Sequence, residues 1–324
     1  MKDYQIRSDF ADEIISGSSE EEAYSHQTHE GEHVRVSHVC IHRADNVLGK
    51  QPGDYISIEF DSLHEHEARE EVIESLRAAL CALMKDTVRR ILVIGLGNRF
   101  ITSDALGPQV ARNILVTSHL YAQGHAHQLQ GTRNVAVLAP GVMGQTGLES
   151  SSIIQSVSGV YHPDVIIAVD ALATRTIRRI NRVIQINNTG IQPGSGVGNH
   201  RLALSEETLH VPVIAMGVAT VTSIGAILSE ALESHDERDA ILSGIAKEGR
   251  LDLVVTPKSM DDELDQLVAH DEGEDDARDG DDHRLREVAD HVEDAAVPGG
   301  GRHADLPGDL AHLCVQGIKH SGQV

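Results

Sequence analysis

The sequence contains no tryptophan, and aromatic residues make up 2% of its 324 positions. A core of this size therefore has to be filled by Val, Ile, Leu and Ala. That suits a parallel sheet whose strands are apolar on both faces. Basic residues are also scarce: 27 Lys and Arg stand against 50 Asp and Glu, a formal charge of −23. Direct binding to duplex DNA needs a basic surface, and this charge argues against it. An anionic membrane surface is disfavoured for the same reason. There are three cysteines, Cys40, Cys81 and Cys314, with neither metal-site spacing nor an even disulfide framework. Cys40 in VSHVCI and Cys81 in RAALCALM sit among apolar residues, as small buried thiols do in a reducing compartment. No run approaches the ~18 apolar residues of a spanning helix, and MKDYQIRSDF has no apolar signal core. A cytoplasmic protein is expected.

The apolar pattern alternates between strands and helices. VRVSHVCI (34–41) and YISIEF (55–60) read as strands joined through GKQPGD. Residues 63–85 carry apolar positions at helical spacing. RILVIG (90–95) is a short buried strand, followed by an expected helix over 105–122 and a strand over 134–139. Further helices are expected over 148–160, 171–178 and 219–233, and further strands over 165–169, 182–187, 211–216 and 251–257. This order predicts an α/β fold: one doubly wound, mostly parallel sheet with helices on both faces. Residues 1–33 are polar, without a strong period, and are expected to form a weakly ordered leader. From Asp271 to Ala296 there are twelve acids against three arginines, so residues 271–324 are expected to form an acidic, poorly ordered tail.

Several familiar sites are absent. GLGNRF (95–100) follows a strand but lacks the third glycine of a dinucleotide fingerprint, and there is no phosphate-binding GxxxxGK[ST] loop. HEHE (64–67) and HAH (125–127) are the only tight pairs among 20 histidines, and neither has zinc-site spacing. No GxSxG elbow supports a serine nucleophile. No metal and no cofactor are expected.

Two aspartates stand out by position. Asp104 and Asp170 each lie just past an apolar strand and just before Ala-Leu. In wound α/β sheets, chemistry gathers beyond the carboxyl ends of strands. One reading makes both residues helix N-caps. The other brings them together as a proton-sharing pair, since neighbouring carboxylates cannot easily both ionise. One of them then takes a proton from water while the other protonates the carbonyl oxygen or leaving nitrogen of a peptide bond.

GLGNRFITSDALGP (95–108), LAPGVMGQTGLESSSII (138–154), DVIIAVDALATR (164–175), INNTGIQPGSGVGN (186–199) and VPVIAMGVATV (211–221) together resemble the spore germination protease family. GKQPGDYISIE (49–59) and LVVTPKSMDDELDQL (253–267) add to the likeness, which runs from about residue 4 to 269. It implies a single α/β domain similar to hydrogenase maturation peptidases. It also implies a homotetrameric endopeptidase, made as a self-processing zymogen, that degrades small acid-soluble spore proteins in the forespore or spore core. The family's two essential aspartates correspond to Asp104 and Asp170. Asn98, Gly141 and Gly196 are candidate substrate or oxyanion residues. SDFADE (8–13) matches the family's cleavage pattern, so residues 1–9 are expected to be a propeptide cut between Asp9 and Phe10. The peptidase domain then spans 10–270. Ser103 departs from the family's usual proline, and Arg99 and Phe100 vary the loop. Beyond His270 the family's apolar C-terminal helix is missing, through a shifted reading frame or divergence. A metal-guided maturation peptidase of the same fold and a non-catalytic paralogue are the alternatives.

Overall fold

The computed structural model describes residues 8–15, 23–46, 48–124, 132–192, 202–232 and 254–255. The tail over 271–324 lies outside them. The strands are β1 (Tyr24–Glu30), β2 (Val34–Ile41), β3 (Gly53–Phe60), β4 (Arg90–Gly95), β5 (Asn134–Leu138), β6 (Val165–Thr174), β7 (Val183–Asn187), β8 (Val213–Ser223) and β9 (Val254–Val255). They form one sheet in the order β1-β2-β3-β7-β8-β6-β4-β5, with β9 paired to β8.

The sheet is mixed, which corrects the expectation of a mostly parallel one. The pairs β8-β6, β6-β4 and β4-β5 are parallel, whereas β1-β2, β2-β3, β3-β7, β7-β8 and β8-β9 are antiparallel. Connection length accounts for the sequential pairs β1-β2, β2-β3 and β4-β5. A parallel pair needs a crossover of about a dozen residues or more, whereas short connections return the chain antiparallel. The connection from β4 to β5 carries helices, whereas β7 and β8 pair antiparallel although the chain between them is also long and carries a helix, Glu206–Leu209.

Helices cover both faces of the sheet. On the first face, α2 (His66–Leu83) and α3 (Leu106–Asn113) supply Val72, Leu76, Leu80, Leu106 and Val110, which pack with Ile91, Val93, Val165, Ile167 and Ile184. On the second, Ile154 of α6 (Ser150–Tyr161) and Leu209 of α7 (Glu206–Leu209) pack on Leu92, Ile94, Ile166 and Ala168. Alternation along β6 thus buries one residue set on each side.

Four expected elements come out differently. The helix over 105–122 is broken into α3 and α4 (Ser118–Ala122). Thr117 is drawn to β5, donating to Arg133 O at 2.6 Å and accepting from Val135 N at 2.9 Å. A helix over 171–178 does not form. Instead β6 runs on through Asp170 to Thr174, because β8 keeps pairing with it, Asp170 opposite Gly217 and Thr174 opposite Thr222. For the same reason β8 extends through the β-branched stretch VATVT. α8 (Ile224–Ala231) starts only after Ser223, whose Oγ accepts from Ala226 N at 3.1 Å. The leader is not featureless either. β1 pairs along its length with β2, and α1 (Ala11–Ile15) packs with Val39, Ile41 and Tyr55. The contacts of α1 are with distant residues, so no local periodicity announces them.

Asp164 ties β4 to β6 at their N-terminal ends. Its Oδ2 accepts from Arg89 N at 2.7 Å and Arg90 N at 2.8 Å. Backbone hydrogen bonding holds this carboxyl below its ordinary value. The group is exposed, so solvent screens its charge. We expect Asp164→Ala to cost about 1 kcal/mol in urea unfolding at neutral pH. A lowered folded pKa stabilises above the unfolded value and loses that effect as pH falls through the folded one. The difference between the two proteins should therefore close on acidification below the carboxylate range, and not on raising the pH.

Candidate active site

The stretch GLGNRFITSDALGP folds as a turn held tightly on the sheet. Leu96 N, at the end of β4, donates to Val169 O at 2.8 Å, the residue before Asp170. Gly107, at the start of α3, lies directly over this junction. A Cβ there would stand 2.2 Å from Leu96 O and 2.5 Å from Val169 O. Gly97 has φ +109°, and a Cβ on it would meet Asp104 O at 2.1 Å. Asn98 N donates to both Asp104 O at 2.9 Å and Asp104 Oδ2 at 2.8 Å. Asp104 closes a 3₁₀ turn, Thr102–Asp104, that lies against β6 and β8. Thr220 of β8 fastens it by donating to Ser103 O at 2.8 Å. Ser103, where the sequence departs from the family pattern, thus contributes its carbonyl, which a proline also has.

Asp170 lies inside β6 and is 6% exposed. Its Oδ1 accepts from Ala171 N at 2.9 Å. Neither aspartate is a helix N-cap: Asp170 is in a strand, and the N-cap of α3 is Ala105. The capping alternative is thereby overturned. The fold instead sets the Asp104 turn onto the strand pair that carries Asp170.

The other candidates sit around this turn. The Asn98 side chain serves the loop, its Oδ1 accepting from Phe100 N at 3.1 Å and from Gln145 Nε2 at 2.5 Å. Gly141 has φ +72°, and its carbonyl accepts from Ser150 Oγ at 2.9 Å. Gln145 thus links the Gly141 loop to the Asp104 turn. Gly196 lies outside the described residues. Phe100 and Ile101 on the Asp104 loop, and Met143 and Leu148 in and beside the short helix α5 (Met143–Thr146), are exposed apolar side chains.

The segment 8–13 is bound on the second face, along the continuation of β6. Asp9 N donates to Ala173 O at 2.9 Å, and Ala173 N donates back to Asp9 Oδ2 at 2.8 Å. Phe10 is fully buried against Leu172, Val183 and Ala219. Burial of that ring stabilises the docked segment by roughly 2–3 kcal/mol. Glu13 accepts from Thr174 Oγ1 at 2.5 Å and from Arg175 N at 3.1 Å. Arg179 reaches Asp12 at 2.7 Å and Glu13 at 3.2 Å, and its guanidinium stacks on the Phe10 ring at 4.9 Å. Burial works against the charge of Arg179, but Asp12, Glu13 and Glu59 outweigh it and raise its pKa. Sequence reading missed Lys50, Arg179 and Gln185 as partners of this segment. The available signal was a glutamine inside the apolar strand VIQIN, since a buried amide requires hydrogen-bond partners.

Comparison with known proteins agrees with the sequence likeness. The germination protease family model matches residues 5–236. The chain belongs to the germination protease family. It is 44% identical over 207 residues to the germination protease of Oceanobacillus iheyensis, covering 62% of this chain and 56% of that protein. To that of Bacillus velezensis it is 47% identical over 191 residues, covering 57% and 52%. To that of Clostridium tetani it is 35% identical over 262 residues, covering 72% and 81%. The chain thus spans about half the length of the first two relatives and four-fifths of the third.

The Gly97 contact is directly testable. Gly97→Ala forces an unfavourable φ and a clash with the Asp104 backbone. We expect a loss of roughly 1–3 kcal/mol in urea unfolding. A change under about 0.5 kcal/mol, as at an ordinary surface position, would mean that the turn does not depend on this approach.

Proposed function

We propose that the chain is an endopeptidase whose Asp104 and Asp170 hydrolyse peptide bonds as a pair, and that its first substrate is its own Asp9–Phe10 bond. One observation carries this reading: the Asp9–Phe10 segment is bound on the same strand that bears Asp170, while the glycine-built turn holds Asp104 against that strand. A water between the two carboxylates loses a proton to one of them as it attacks the carbonyl carbon. The other donates a proton to the departing nitrogen. Acid and base are roles of the coupled pair rather than of either residue alone.

Removing residues 1–9 converts a zymogen into the mature enzyme in this reading. Its substrates are small acid-soluble spore proteins, and its assembly is a homotetramer. Family membership and the SDFADE pattern support the substrate and zymogen assignments. The tetramer rests on the family resemblance. Among the described residues no helix is long and apolar enough to cross a membrane, and no three His, Cys, Asp or Glu side chains gather as a metal site.

The test uses a peptide containing Thr-Glu-Phe-Ala-Ser-Glu together with wild type, Asp104→Asn and Asp170→Asn. Wild type should cut the peptide with a chelator present. Each mutant should lose at least about 100-fold in rate while keeping its cooperative melt. Asparagine preserves size and hydrogen bonding but cannot carry the proton. Dependence on a metal centre would favour the maturation-peptidase alternative, and mutants as active as wild type would remove the paired-aspartate mechanism. Separately, Edman sequencing of the matured protein should begin at Phe10. An active enzyme that retains Met1 would overturn the zymogen assignment.

A further inference from the structure

The carbonyl oxygen of Asp9 accepts two hydrogen bonds, from Lys50 Nζ at 2.9 Å and Gln185 Nε2 at 3.0 Å. The same Gln185 amide accepts from Ala11 N at 2.9 Å through Oε1. One side chain therefore bridges the backbone on either side of Phe10 and spans the Asp9–Phe10 bond. Gln185 is 3% exposed, and an amide buried in a strand needs both of its ends satisfied. Here the docked segment satisfies both.

The register ties this cradle to Asp170. Asp170 pairs with Gly217, and Gly217 pairs with Gln185 on its other side. Residues opposite one another in adjacent strands leave the same face, so Asp170 and Gln185 flank Gly217 at two strand spacings, about 10 Å between Cα atoms. Glycine between them adds no side chain. Phe10 packs on Leu172, Val183 and Ala219, the next residues along this face. The carbonyl held by Gln185 and Lys50 is thus on the Asp170 side of the sheet.

We propose that Lys50 and Gln185 are catalytic residues that polarise the carbonyl of the bond being cut and hold the oxyanion of its tetrahedral intermediate. This assignment rests on the reading of Asp9–Phe10 as a bond cleaved by the aspartate pair. The water oxygen forms a bond to the Asp9 carbonyl carbon and gives one proton to the basic carboxylate. The carbonyl π pair moves onto oxygen, between Nζ and Nε2. When that pair returns, the carbon–nitrogen bond breaks and its electrons go to Phe10 N, which takes the proton of the acidic partner. The products are a carboxyl group on Asp9 and an amine on Phe10, and the aspartate pair again holds one proton. Donors fixed in place before reaction pay no reorganisation cost as the charge develops. Burial pulls the Lys50 pKa below its ordinary value, while the carboxylates of Asp9 and Glu13 act in the opposite direction.

The test separates catalysis from mere anchoring of the leader. Lys50→Met and Gln185→Met in the full chain are matured to a Phe10 N-terminus by tagged wild-type protein, which is then removed. Cleavage of the Thr-Glu-Phe-Ala-Ser-Glu peptide is measured in trans, with thermal melts as a folding control. We expect kcat to fall about 100-fold in each variant with KM nearly unchanged. An unchanged kcat, or a loss confined to KM, would overturn the assignment and leave these side chains as anchors. Should Lys50→Met fail to melt cooperatively, Gln185→Met decides. Wild type that cuts neither leader nor peptide would remove the peptidase reading and this assignment with it. Active wild type with unaffected variants would remove this assignment alone.

Discussion

The close approach of the α3 start to the ends of β4 and β6 is the contact on which the candidate site depends. With Gly107 over Leu96 and Val169, and Gly97 against the Asp104 backbone, the Asp104 turn can lie on the strands instead of standing off them. Any side chain at either glycine would occupy the space of a backbone atom. The turn is then fixed from three directions, by Asn98 N, by Thr220 and by the α3 helix that follows it. A carboxylate placed this way owes its position to backbone geometry more than to its own side-chain contacts. That is the preorganisation an acid–base group requires.

The second requirement is the long ribbon formed by β6 and β8. Had β6 ended at Val169, Asp170 would have begun a helix and Ala173 would not present an open N–H and C=O to Asp9. Continued pairing with β8 keeps on one strand both the Asp170 carboxylate and, three residues later, the backbone that binds Asp9. The parallel half of the sheet thus holds the aspartates, while the antiparallel half supplies Gln185 from β7. The mixed topology is what lets one bound peptide touch both.

The elements readable in the sequence were those whose stability is local or whose burial is complete. β4 is a continuous apolar run and was expected over the residues it occupies, 90–95. α2 carries Val72, Leu76 and Leu80 at helical spacing and differs from expectation only at its ends. Asp104 and Asp170 stood out in the sequence because each comes after an apolar run and directly before Ala-Leu, although β6 continues past Asp170. What was not legible depends on partners far along the chain. The extension of β6 relies on β8, and the docking of residues 8–13 relies on Ala173, Thr174, Arg179 and Gln185. ALAT has no period that separates helix from strand, so tertiary pairing decides. Lys50 lies in a turn-like GKQPGD stretch, where a lysine is ordinarily read as solvated.

The contacts of residues 8–13 divide unequally about the Asp9–Phe10 bond that we propose is cut. Phe10 fills an apolar pocket, Ala11 is fully buried, and Asp12 and Glu13 share the guanidinium of Arg179. These contacts lie on the C-terminal side of the Asp9–Phe10 bond, and cleavage does not remove them. On the other side, Asp9 is held through its backbone N–H, its carboxylate and its carbonyl. In the proposed cleavage, that carbonyl becomes part of a new carboxylate facing Lys50, while Phe10 N becomes a free amine. The two new ends no longer hold one another at bonding distance, so each must be retained by its own contacts alone. Residues 10–13 keep a buried ring and an ion-paired acid, whereas Asp9 keeps only polar contacts that water can replace. The asymmetry favours release of the N-terminal fragment first. The groove on its side of the bond then opens while the β6 edge, Gln185 and Lys50 stay where an incoming peptide backbone would meet them.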